Sequence, residues 1–135
     1  MTEIRGNKAV EDAAVAWVIE LERQAGRKPV DTRYDSRAPG DLESPPRTIE
    51  VKAFGKSNRG YDLWLEVAQV EGARRNPNFY LYIVQNVGQG DPRRFTLKVL
   101  GGAHLQRLLE RDKEQRYFAV PWPTGDYDAT PTGAW

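Results

Sequence analysis

Between positions 8 and 25, Val10, Ala14, Trp17, Val18, Leu21 and Ala25 recur at intervals of three and four. That spacing predicts an amphipathic helix with one apolar face. Gly26 follows at the place where a glycine can end a helix. Pro29 to Tyr34 reads as a short strand, with the proline first, where a missing N–H is tolerated. Turn-rich stretches at Asp35 to Gly40 and Ser44-Pro45-Pro46 bracket Asp41-Leu42-Glu43, leaving room for another short strand. The clearest alternation is Thr48 to Phe54, where Ile49, Val51 and Ala53 interleave with Glu50, Lys52 and Phe54. Gly55 to Gly60 reads as a loop, Tyr61 to Leu65 as a strand, and Glu66 to Arg75 as a helix stopped by Asn76-Pro77.

The run Phe79 to Val84 is almost continuously apolar and aromatic, as in a strand buried on both faces. Phe95 to Leu100 predicts a strand, Ala103 to Lys113 a helix with Leu105, Leu108 and Leu109 inward, and Tyr117 to Val120 a last strand. Pro121 to Trp135 is an irregular tail whose Trp122 and Trp135 are expected to fold back onto the body, with a partner interface as the alternative. The reading is therefore one α/β domain over 1–120, a mixed sheet flanked by helices, with a tail over 121–135.

Composition removes several chemistries. The chain has 135 residues, no cysteine and a single histidine, His104. A Cys/His zinc site and a thiol nucleophile are excluded. There is no Gly-x-Ser-x-Gly elbow and no Gly-rich phosphate loop. Carboxylates and lysine remain as catalytic groups. The N-terminus carries no signal-like apolar stretch and no run is long enough to span a membrane, so a cytoplasmic protein is expected. The net charge of +1 does not by itself announce nucleic-acid binding.

Strand side chains repeat every two residues, so Glu50 and Lys52 share a face while Ile49 and Val51 anchor the other. Asp41, after the Pro39-Gly40 turn, can bring a second carboxylate to that face. Two carboxylate oxygens and a strand carbonyl suit a hard cation, Mg2+ or Mn2+. Such a cation would polarise a phosphate and acidify a bound water, with Lys52 orienting that water or stabilising developing charge. A Glu-x-Lys pair is also common on half-exposed strands, so the pair alone does not establish catalysis.

The segment Arg47-Thr48-Ile49-Glu50-Val51-Lys52 resembles the signature of the Protein NO VEIN C-terminal domain family, which is placed in the PD-(D/E)XK nuclease superfamily. The matching pieces run in the family's order. They are Glu11 in the first helix, Gly26, Val30-Asp31, Gly40-Asp41, Ile49-Glu50-Val51-Lys52, a helix over Gln69 to Ala73, and Tyr80-Leu81-Tyr82-Ile83-Val84. The resemblance implies a restriction-endonuclease-like fold. It implies Asp41, Glu50 and Lys52 as catalytic positions, and Glu11 completing a metal site with Asp41 and Glu50. Gln69 and Lys56 are the expected substrate contacts. Two alternatives stay open: Glu11 as an acid favoured by the helix dipole, and Gln69 as a surface cap. The chain departs from the family in having Pro39-Gly40, not Gly-Tyr, before the acid. A Gly60-Tyr61-Asp62 segment lies after the Glu-x-Lys strand, so Asp62 is read as a decoy.

The expected function is a metal-dependent endonuclease acting on DNA in a restriction, phage-defence or repair setting. The alternative is a nucleic-acid-binding or scaffold module that keeps the fold without cutting. So small a domain has little surface to hold a duplex, and a homodimer or a larger defence-system partner would supply it.

Overall fold

The computed structural model describes residues 2–133. Its elements are α1 (Asn7–Gln24), β1 (Val30–Asp31), β2 (Leu42–Ser44), β3 (Arg47–Ala53), α2 (Val67–Arg75), β4 (Phe79–Gln85), β5 (Thr96–Leu100), α3 (Gly102–Leu109) and α4 (Thr124–Ala129), with a 3₁₀ turn at Pro92–Arg94. The strands form one mixed sheet in the order β1-β2-β3-β4-β5. β1, β2 and β3 make an antiparallel meander, β4 joins β3 in parallel, and β5 returns antiparallel. A parallel pair needs a crossover, and α2 provides it. No helix among the described residues is long and apolar enough to cross a membrane.

Gly26 ends α1 as its place in the sequence predicts. It adopts φ +85°, and the N–H groups of Gly26 and Arg27 donate to the carbonyls of Arg23 and Glu22 at 3.0 Å each. This paired closure satisfies two otherwise orphaned carbonyls. The buried face of α1 is rotated from the expected stripe. Val10, Ala14, Val15, Val18 and Glu22 are buried, whereas Trp17 and Leu21 lie at its margin and Ala25 is exposed. Trp17 instead meets Phe95 edge to face at 5.4 Å.

β3 and β4 are central, so each is buried on both faces. Val51, Ile49, Tyr82 and Val84 pack with α1 in one core. Leu81, Ile83 and Phe79 pack with Ala73, Leu105 and Leu109 in the other. Removing one such large aliphatic side chain from water contributes roughly 1.5–3 kcal/mol. The buried Glu22 is held at the start of β3 by Arg27 (2.8 Å), Ser44 (3.0 Å) and the Tyr82 hydroxyl (2.9 Å), and Arg47 donates to that hydroxyl at 2.7 Å. Burial pushes the Glu22 carboxyl up, but these three donors outweigh it and hold it below its ordinary value.

Two expected strands are absent. Tyr61 to Leu65 is an irregular loop with Tyr61 and Trp64 exposed. Tyr117 to Val120 pairs with no strand among the described residues, and every residue from 110 to 133 is exposed. The aromatic and aliphatic composition of these runs was a propensity without a strand partner to realise it. α3 also ends at Leu109, short of Lys113. Trp122 stacks on Tyr127 within the tail at 5.3 Å, not on the body. Trp135 lies outside the described residues.

Candidate active site

β2 is shorter than β3, and the site forms where β2 runs out. The ladder leaves register there: Asp41 N–H donates to the Ile49 carbonyl at 2.9 Å, although Ile49 is paired with Leu42. Gly40 is required at this step, because a Cβ on it would lie 2.8 Å from the Ile49 carbonyl oxygen. Thr32 pins both neighbouring carbonyls, its hydroxyl donating to Gly40 and its N–H to Asp41, each at 2.8 Å. The next free N–H of β3, on Val51, finds the Asp41 carboxylate Oδ2 at 2.8 Å. Asp41 is therefore fixed by backbone and side chain alike.

Glu50 is buried, at 5% exposure, beside Asp41. Burial first, then the Asp41 charge and a hydrogen bond between the two carboxyls, raise its pKa to about 8. Lys52 acts in the opposite sense and Glu66 adds to the rise. Glu50 therefore keeps its proton at neutral pH. Lys52 Nζ lies 4.0 Å from Glu50 Oε1 and donates to Gln69 Oε1 at 3.3 Å. The same Gln69 oxygen accepts the Glu66 N–H at 2.9 Å as half of a capping box at the start of α2. The helix start is thereby tied to the lysine.

The structure thus brings Asp41, Glu50, Lys52 and Gln69 together. Gln69 belongs to the cap, and its side-chain oxygen also accepts from Lys52. Glu11 stands apart from the carboxyl pair. It lines a hollow of about 510 Å³ together with Lys52, but its carboxylate is turned to Arg33 at 3.5 Å. No group of three or more metal-binding side chains forms among the described residues. Lys56 is exposed on the loop after β3, where its carbonyl accepts the Asn86 N–H at 3.2 Å. Asp62 is exposed on the loop before α2 and is not among the groups acting on Glu50.

Two acids on this face were missed from the sequence. Glu66 caps α2 and adds negative charge near Glu50. Glu43, two residues beyond Asp41 on the same face, takes the Thr48 hydroxyl at 3.1 Å and leaves its buried Oε1 without a partner. The Glu66-x-x-Gln69 spacing was the available signal for the first, and the period of two from Asp41 for the second.

These features define an α/β protein with a carboxyl pair and a lysine at the end of a strand, beside a parallel crossover. The chain matches the family described as Protein NO VEIN, C-terminal, over residues 10–97, and it belongs to that family. No curated protein and no solved structure matched it.

Proposed function

We propose that this chain is a metal-dependent endonuclease of the PD-(D/E)XK superfamily with a restriction-endonuclease-like fold, cutting phosphodiester bonds in DNA. The observation that carries the reading is the Asp41–Glu50 pair, two carboxyls in contact with Glu50 pushed up to about 8. The arrangement lacks positive charge, and Lys52 at 4.0 Å does not make up the deficit. A hard divalent cation between the two carboxylates would supply it, so the residues fit Mg2+ or Mn2+. Asp41 and Glu50 would hold the ion, with main-chain carbonyl and water oxygens as further ligands. When bound, it would polarise the scissile phosphate and acidify a water.

The chain's own groups do the rest. Asp41 presents one oxygen because the other is committed to Val51. Glu50 would release its proton to solvent in order to hold the ion. Lys52, steadied by Gln69, places an ammonium beside the site to orient the attacking water and offset charge on the phosphate. The order of elements also supports the superfamily reading: a helix with Glu11, Gly26, a strand, Asp41, the Ile49-Glu50-Val51-Lys52 strand, a helix and an aromatic strand.

The second reading, a module that binds nucleic acid without cutting, is favoured by the near-neutral charge of +1. Incubating the purified protein with plasmid and single-stranded DNA, with Mg2+ or Mn2+ and with EDTA, separates the two. Restriction, phage-defence or repair remains the proposed setting, in the cytoplasm.

A further inference from the structure

The segment after α3 has the composition of a buried strand and the environment of none. Tyr117 is 83% exposed, Phe118 94%, Val120 81% and Trp122 64%. The hydrogen bonds found from Tyr117 onward are local to the segment, such as Tyr127 N–H to Pro123 and Thr130 to Asp126. An apolar run of this size is a covered surface in the working state of a protein.

The body carries a matching gap. β5 is an edge strand, with β4 on one side and no strand on the other among the described residues. Its free backbone groups are a template for one more strand, and Val99 on it is 44% exposed. Beside it lies a groove of about 550 Å³ lined by Leu63, Trp64, Leu100, Leu105, Leu108 and Leu109. Charge agrees with the fit. From Tyr117 to the C-terminus the chain has two acids, Asp126 and Asp128, and no lysine or arginine. Around the receiving surface stand Arg59, Lys98, Arg111 and Lys113 against two acids, Asp62 and Asp112, which leaves its lining net positive.

We infer that the chain forms a two-fold homodimer by exchanging these arms, with Tyr117–Val120 of each copy added as a strand to the β5 edge of the other and Trp122 seated in its groove. Exchange covers both arms and both edges in one closed, self-complementary arrangement. Three aromatics per arm, at about 150–250 Å² each, give roughly 900–1,500 Å² from the two arms before the covered body surface is added. That reaches the range of stable interfaces. The inference is independent of whether the carboxyl site cuts DNA.

The cysteine-free chain allows a clean test. The full-length double variant Val99→Cys/Ala119→Cys is oxidised and run without reductant, and the mass of the native protein is measured by analytical ultracentrifugation. The inference expects a dimer in solution and a disulfide between chains. Phe118→Asp, at a position that touches little in the single copy, should keep the native circular dichroism and weaken the dimer roughly tenfold or more. A monomeric native protein, a disulfide within one chain, no disulfide at all, or an undisturbed dimer in Phe118→Asp would each overturn it.

Discussion

Glu50→Gln removes a titrating group from the buried pair while keeping its shape. Its effect on stability must therefore depend on pH. The folded carboxyl titrates at about 8 against an ordinary 4.5. A raised folded value means that protonated Glu50 suits the fold and ionised Glu50 does not. Its favourable contribution is complete below about pH 4.5, declines as pH rises, and is gone once pH passes about 8. Taken at face value, the shift corresponds to on the order of 5 kcal/mol. Relaxation and water entry around an ionised Glu50 reduce this to a few kcal/mol. Glutamine is neutral throughout. Relative to the native chain, Glu50→Gln should be within about 1 kcal/mol at pH 5 and more stable by roughly 2–4 kcal/mol at pH 9. Urea unfolding followed by circular dichroism in EDTA, at pH 5, 7 and 9, reads the difference directly. A difference that stays constant across that range would show that Glu50 is not held protonated by burial and Asp41, and the electrostatic account of the site would fail.

The remaining predictions concern the groups around that pair. Binding of Mg2+ or Mn2+ should release about one proton at pH 7 and tighten as pH rises toward 8, measured by calorimetry in buffers of different ionisation enthalpy; binding without proton release contradicts a protonated Glu50. Gln69→Ala should cost about 1 kcal/mol of stability through the lost capping box and slow cleavage roughly tenfold to a hundredfold by loosening Lys52, so stability loss with unchanged cleavage would leave Gln69 as a cap only. Glu22→Ala should destabilise by about 3 kcal/mol, because Arg27 and the Tyr82 hydroxyl lose their buried partner; since the Glu22 carboxyl is held below its ordinary value, its contribution is present above about pH 4.5 and should fade as pH falls further, which acid denaturation of the two proteins compares.

The periodic elements were legible because periodicity reports burial. The helix from position 8, the alternation at Thr48 to Phe54 and the apolar run at Phe79 all reappear as α1, β3 and β4. That Glu50 and Lys52 share a face was legible for the same reason, since a strand's period of two fixes it, whereas Asp41 came from its place after a turn and from the family resemblance. What failed had propensity without context. Tyr117 to Val120 has strand composition, but a strand exists only against a partner, and that partner is not written into the local sequence. Glu22 was also hidden, because a glutamate on a helix reads as surface until Arg27, Ser44 and Tyr82 are brought to it from three other segments. Glu11 shows the converse: its place in the helix suggested the site, yet Arg33 draws its carboxylate away.

The most direct measurement is cleavage of supercoiled plasmid and single-stranded DNA by the native chain and by Glu50→Ala, with Mg2+ or Mn2+ and with EDTA. The account predicts that the native chain cuts only with the cation, and that Glu50→Ala, still folded, is slower by roughly a hundredfold or more. Metal-independent cutting, or wild-type cutting by Glu50→Ala, would contradict it.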